Sequence, residues 1–200
     1  MERSVKGELD RAVSVMRSHG FDLRLPAPAS AQDVTAAERQ TGIKFDDDFR
    51  EYFNACNGSN ELAAAVMTDE LTPCVLASLQ ECVEQWSQWL PYDAAVQKMF
   101  GDPEPHDPRI KARLVNRLWF PLAEFNGWST TVFFDGDPGL GGRVGQIIVY
   151  QHDPDAMYYV APTFGEFLAL SNDFIMRHAT ELLLLDGDPV AGAPPRIGAG

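Results

Sequence analysis

Trp119-Phe-Pro-Leu-Ala-Glu-Phe-Asn-Gly-Trp128 runs on through Phe133-Phe-Asp-Gly-Asp-Pro-Gly139 to Gly145-Gln-Ile-Ile-Val-Tyr-Gln-His-Asp153. Short apolar runs alternate here with tight, aspartate-rich turns. Runs rich in β-branched and aromatic residues, bounded by Gly, Pro and Asp, read as strands. Strands are expected near 115–122, 128–135, 143–151 and 156–161, with Asp135-Gly-Asp-Pro-Gly139 and His152-Asp-Pro-Asp155 as turns. The stretch carries no recognisable catalytic set.

Outward from it, helical spacing takes over. Val5, Leu9, Ala12, Val13 and Met16 recur as one face of an amphipathic helix over 3–19, with Gly20 as its stop. Leu25-Pro-Ala-Pro-Ala-Ser30 reads as an extended linker, because each proline disfavours helix in the residue before it. Ser30 is placed to cap a second helix that runs through Val34, Ala37 and Glu38 to Gly42. Asp46-Asp-Asp48 opens a third, with Phe49, Tyr52, Phe53 and Cys56 on its core face and Asn57-Gly58 at its end. Residues 62–67 and 71–76 read as two short strands, and 78–100 as a long helix with a break expected at Pro91. Residues 101–109 form a turn-rich loop, followed by the basic group Arg109, Lys111, Arg113 and Arg117. Thr163 and Glu166 make a capping-box pattern for a last helix, with Phe164, Phe167, Leu168, Phe174 and Ile175 facing inward. The Gly-, Pro- and Ala-rich tail from 186 has little to bury.

Two hundred residues, 45 % hydrophobic with twelve Phe and four Trp, suffice for one domain with a sizeable core. No apolar run approaches the roughly 20 residues of a membrane span, and the N-terminus lacks signal-peptide order, so a cytoplasmic location is the default. Cys56, Cys74 and Cys82, odd in number, read as buried thiols rather than a disulfide or metal set. The net charge is −13, and residues 31–104 hold 14 acids against 4 bases. Nucleic acid and anionic membranes are poor partners for such a chain, and a basic protein is a better one. The bland alternative is that the charge serves solubility alone.

The order of elements is itself informative. A Pro-containing lead-in is followed by a helix carrying Glu38, a helix ending in Asn57-Gly58, Trp119-Phe-Pro-Leu, Phe134-Asp135, Asp137-Pro-Gly139, Gly145-Gln-Ile-Ile and a closing helix begun by Thr163-Phe-Gly-Glu-Phe-Leu168. This order resembles the SUKH superfamily, specifically the Smi/Knr family of cell-wall-assembly regulators and their bacterial relatives, over roughly 26–175. The resemblance implies an α+β fold, with a mixed or largely antiparallel sheet flanked by helices. It also implies a non-enzymatic role: bacterial members are similar to immunity proteins that neutralise polymorphic toxins, often nucleases, and fungal members to regulatory scaffolds. The domain is expected over 26–185, with an N-terminal helix and linker at 1–25, an insertion near 78–113 and a tail at 186–200. The family's usual Leu-Pro before the second helix is Phe45-Asp46 here, which predicts a looser turn.

Candidate sites follow from these readings. An acidic partner-binding face is expected from Glu38, Asp46, Asp47, Asp48, Glu51, Glu61, Asp69 and Glu70, joined by Trp128 as an aromatic anchor. Core packing is the competing reading for Trp119 and Trp128, and a backbone hydrogen bond for Glu38. Asp135, Asp137, Asp153 and Asp155 could gather around a hard cation and support a metal-dependent hydrolase, but turn chemistry explains them better. His19, His106, His152 and His178 show no zinc spacing, no nucleophile elbow occurs, and the glycines of 136–145 sit beside carboxylates that would repel phosphate. No cofactor, metal or catalytic residue is therefore expected.

Overall fold

The computed structural model describes residues 4–20, 22, 24–59, 63–67, 71–100, 107–125, 127–152 and 155–182. Five helices lie among them: α1 (Val5–Ser18), α2 (Ala31–Thr41), α3 (Asp47–Ala55), α4 (Leu79–Phe100) and α5 (Phe164–Leu182). Six strands complete the described elements: β1 (Ala63–Met67), β2 (Leu71–Leu76), β3 (Trp119–Phe125), β4 (Thr130–Asp135), β5 (Gln146–Gln151) and β6 (Ala156–Ala161). The fold is α+β. The strands form one sheet in the order β1-β2-β3-β4-β5-β6, each antiparallel to its sequence neighbour. Among the described residues the sheet is thus wholly antiparallel, with no parallel pair to make it mixed.

The proline problem in β3 is resolved by a bulge. Pro121 cannot donate to a ladder, yet it lies in an interior strand. The register shifts between Pro121 and Ala123, and β2 pairs with β3 only at Val75–Glu124 and Leu76–Ala123. The side of Pro121 that lacks an N–H therefore meets no β2 partner. Pro91 lies within α4 without ending it. The carbonyl it leaves without a donor belongs to exposed Ser87, where solvent can serve it.

The sheet buries both faces. On one, Phe120, Leu122, Val132, Phe134, Ile147 and Val149 meet the apolar stripes of α1, α3 and α5 in the main core. Phe49 stacks on Phe134 at 4.9 Å and meets Phe45 edge-on at 4.9 Å, while Tyr52 lies 4.7 Å from Phe164. Each fully buried ring contributes about 1.5–3 kcal/mol of transfer free energy, with about 0.5–1.5 kcal/mol more for good ring geometry. The N-terminal helix shares this core, because Val5, Leu9, Ala12 and Met16 are buried in it. On the opposite face, Ile110, Trp119, Phe133 and Ile148 form a smaller cluster, partly covered by Trp89, Tyr150, Met157 and Tyr159.

All three cysteines are buried free thiols. Burial pushes Cys56 and Cys74 up to about 12 and Cys82 higher still, so none is poised as a nucleophile. No helix among the described residues is long and apolar enough to cross a membrane.

Candidate partner-binding surface

The acidic run at the start of α3 is spent inside the molecule. Asp46 Oδ1 accepts from Phe49 N at 2.9 Å and caps α3 itself. Asp48 Oδ2 accepts from Gly165 N at 3.2 Å, in the first turn of α5. Glu51 accepts from Val5 N at 3.3 Å and Lys6 N at 3.1 Å, in the first turn of α1. Three helix N-termini thus converge on α3, and each is met by a carboxylate that satisfies its orphan N–H groups and opposes its dipole. Partial burial raises the Asp46 carboxyl above its usual range, against the lowering effect of the Phe49 N–H. Asp47 alone of the four faces solvent.

Glu38 lies inward as well, at 3 % exposure. Its Oε1 accepts from Phe45 N at 2.9 Å and from Arg50 Nη2 at 2.6 Å. This pins the segment before α3, so Phe45-Asp46 makes a held turn rather than a loose one. A carboxylate so placed braces the fold and is not presented to a partner. Glu61, Asp69 and Glu70 lie outside the described residues.

Open negative charge gathers instead along the N-terminal half of α4. That end is docked by Asn57-Gly58-Ser59. Asn57 Oδ1 accepts from Leu79 N at 2.7 Å, and Ser59 N donates to the Leu76 carbonyl at 2.8 Å. Gly58 has φ +82°, and a Cβ there would fall 2.7 Å from Ser78 N, so both conformation and space demand glycine. Cys56, in extended conformation, ends α3, and Asn57 serves the next helix rather than its own. Ser78 and Glu81 close α4 with a reciprocal capping box: Ser78 N donates to Glu81 Oε2 at 2.8 Å, and Glu81 N to Ser78 Oγ at 3.3 Å.

Two grooves flank this half of α4. One, of about 390 Å³, lies toward β2 and β3, with Glu81, Glu84, Gln85, Gln88, Glu124 and Trp128 in its walls. The other, of about 450 Å³, lies toward α2, with Asp33, Gln40, Gln80, Val83 and Glu84 among its lining. Glu84 is shared, and neither lining contains a Lys or Arg. Trp128 is half-buried at the first groove, against the main core, and its backbone N–H donates to Glu124 Oε2 at 3.0 Å. Among the described residues it is the one non-glycine residue with positive φ, at 70°. Of the partner-binding residues expected from sequence, this groove holds Trp128; the glutamates beside it were not among them. The signal that could have found Glu81 and Glu84 is the run of carboxylates and glutamines on the outer face of a long helix.

Asp153 lies outside the described residues; the other three aspartates of these turns are internally satisfied. Asp135 is fully buried, accepts from Asp137 N at 2.9 Å and from Gln146 Nε2 at 2.8 Å, and is pushed up to about 6, chiefly by burial. Asp137 pairs with Lys111 at 2.7 Å and accepts from Asn116 Nδ2 at 2.9 Å. Asp155 pairs with His152 at 2.8 Å and accepts from Tyr150 Oη at 2.5 Å. Of the basic group, Arg109 likewise pairs with Asp107 at 2.6 Å and Arg113 with Asp93 at 3.6 Å. Among the described residues no group of three or more His, Cys, Asp or Glu could hold a metal ion.

Among the described residues the chain is an antiparallel sheet with helices packed on it and two carboxylate-lined grooves beside α4. The model of the SMI1 / KNR4 family (SUKH-1) matches residues 28–170. The chain belongs to this family. A comparison with curated proteins returned no match.

Proposed function

We propose that this chain is a non-enzymatic protein-binding domain that acts as an immunity protein, neutralising a basic toxin domain through the grooves beside α4. One observation carries this reading: two adjoining grooves share Glu84, hold Asp33, Glu81 and Glu124 besides, and include no basic residue. A protein that binds nucleic acid presents a basic groove, and a carboxylate-lined ridge is complementary to it in charge. Such complementarity speeds encounter and selects the partner more than it adds raw affinity. Trp128 and the apolar walls formed by Val75, Leu76 and Val83 supply contact area that charge alone would not. Family membership supports the same reading, since the resemblance implies immunity proteins and regulators rather than enzymes.

The test is co-purification with the product of the neighbouring reading frame, with cell survival as the second readout. The wild-type chain is expected to capture that product in low salt, less so in high salt, and to restore growth. Asp33→Lys with Glu84→Lys is expected to weaken capture at least tenfold, and Asp47→Lys to leave it unchanged. Equal capture by both variants would remove the grooves from the reading. A neighbouring product with no toxicity would favour the regulatory scaffold instead.

A further inference from the structure

The groove between α4 and β3 is bordered by an unusual turn. The hairpin from β3 to β4 passes through Gly127 and Trp128, both left-handed, at φ 65° and 70°. Consecutive left-handed residues favour Asn, Asp and Gly, and a bulky aromatic rarely takes that conformation. Here it is pinned on both sides. The Trp128 backbone N–H donates to Glu124 Oε2 at 3.0 Å, and the Trp128 carbonyl accepts from Thr131 Oγ1 at 3.0 Å. The indole packs in part on the main core and otherwise borders the groove. Its direction is thus set before any partner arrives, which removes an ordering cost from binding.

The other walls define what such a ring would meet. Their polar side chains are Glu81, Glu84, Gln85, Gln88 and Glu124, each with an oxygen acceptor and none with a positive charge. An aromatic ring beside carboxylates recognises a cation. The chain itself contains a complete arrangement of this kind at β6. There the Arg109 guanidinium lies 3.3 Å over the Tyr159 ring. Its edge meanwhile donates to Asp107, Nε to Oδ1 at 3.0 Å and Nη2 to Oδ2 at 2.6 Å. A planar guanidinium serves ring and carboxylate at once, whereas an ammonium is a compact point charge without that fork. The α4–β3 groove presents the ring and the carboxylates of this trio, and its lining supplies no guanidinium.

We propose that Trp128 is the platform for an arginine side chain of the partner protein, which lies on the indole and turns its N–H edge to Glu124. A carboxylate has about four lone-pair sites, so the bond to the Trp128 backbone leaves Glu124 able to accept again. This inference rests on the reading of the α4 grooves as a partner-binding surface, and it narrows that reading. The groove toward β3 takes the anchor, and the anchor is arginine rather than lysine. Trp and Arg are the residues in which interface energy concentrates. The proposal also gives the strained position a use: glycine would suit the backbone better but would offer no ring.

Nitrogen–proton NMR spectra of the purified chain test this without the partner. The probe is acetyl-Gly-Arg-Gly-amide, compared with its lysine and citrulline analogues. The arginine peptide should shift the Trp128 indole and the amides of Glu124 and Trp128 saturably, with a Kd on the order of 1 mM. The lysine peptide should bind about fivefold more weakly, and the neutral citrulline peptide not at all. Trp128→Gly should lower arginine affinity about tenfold, read at the Glu124 amide. Glu124→Gln keeps an oxygen for the Trp128 N–H and should lower it about fivefold through lost charge. Asp47→Lys, an exposed change on α3, should leave it unaltered. No saturable shift up to about 20 mM peptide would overturn the proposal. So would equal responses to arginine and lysine, shifts centred on α2, or an affinity indifferent to both groove variants. A toxic neighbour captured without any arginine response keeps the immunity reading and sinks this one. An arginine response beside a harmless neighbour does the reverse.

Discussion

Two acidic segments of this molecule behave in opposite ways. In α3, Asp46, Asp48 and Glu51 are directed at backbone N–H groups of α3, α5 and α1. In α4, Glu84 stands exposed between two grooves with no base in their walls. The denser charge is the one spent on architecture. Where several helix N-termini converge, carboxylates are drawn inward to cap them. A helix capped by its own Ser78–Glu81 box can keep its remaining carboxylates for the outside.

The contrast can be broken most severely at Glu38. Glu38→Ala leaves the buried Phe45 N–H without an acceptor and Arg50 without its counter-charge, and should cost about 2–4 kcal/mol in urea unfolding. Glu38→Gln keeps an acceptor and should cost less than half of that. If Glu38→Ala were silent, the inward role of the acids around α3 would be wrong.

Asp135 gives the next effect, through pH. Its carboxyl is raised from 3.8 to about 6 in the fold, so the folded state prefers it protonated. Below the unfolded value both states are protonated and nothing is lost. As pH rises toward about 6 the unfolded chain ionises first, and stability falls by on the order of 3 kcal/mol before levelling above that point. Asp137, Asp107 and Asp155 are held below their usual range, so they act oppositely, losing stability only in stronger acid. Asp135→Asn should flatten the fall between about pH 4 and 6, read as the difference in urea midpoint between variant and wild type.

Smaller still are the caps. Glu51→Ala and Asp46→Ala should each cost about 1 kcal/mol. Hydrogen exchange should quicken mainly in α1 for the first and in α3 for the second. Smallest is Glu84→Lys. It should change stability by no more than about 0.5 kcal/mol while reducing partner capture. A loss as large as that of Glu51→Ala would mean that α4 also uses its charge internally, and the contrast would collapse.

Much of the architecture was legible from local rules. Ser30 caps α2, Gly42 closes it in the left-handed conformation, and Asp46 caps α3, each through its own short-range chemistry. Thr163 Oγ1 accepts from Glu166 N at 3.2 Å as the capping pattern predicts. The strands fell within a few residues of their expected places, because period-two patterning and Gly–Asp–Pro turns need no distant information. The site was far less legible. Asn57 looked like the end of one helix and is the cap of another, 22 residues on, and Glu51 caps a helix that begins 46 residues earlier. No window of sequence contains both partners of such a bond.

The chain alone determined which segments are helix or strand, that the thiols are inert core residues, and which family the element order resembles. These depend on spacing, side-chain volume and backbone preference, all local quantities. Only the assembled structure decided which carboxylates face inward, that the sheet is a simple antiparallel succession with a bulge at Pro121, and that Glu84 and Trp128 border open grooves. The reason is that burial and orientation are set by what packs against a residue, and in this molecule α1, α3 and α5 are brought together from opposite ends of the chain.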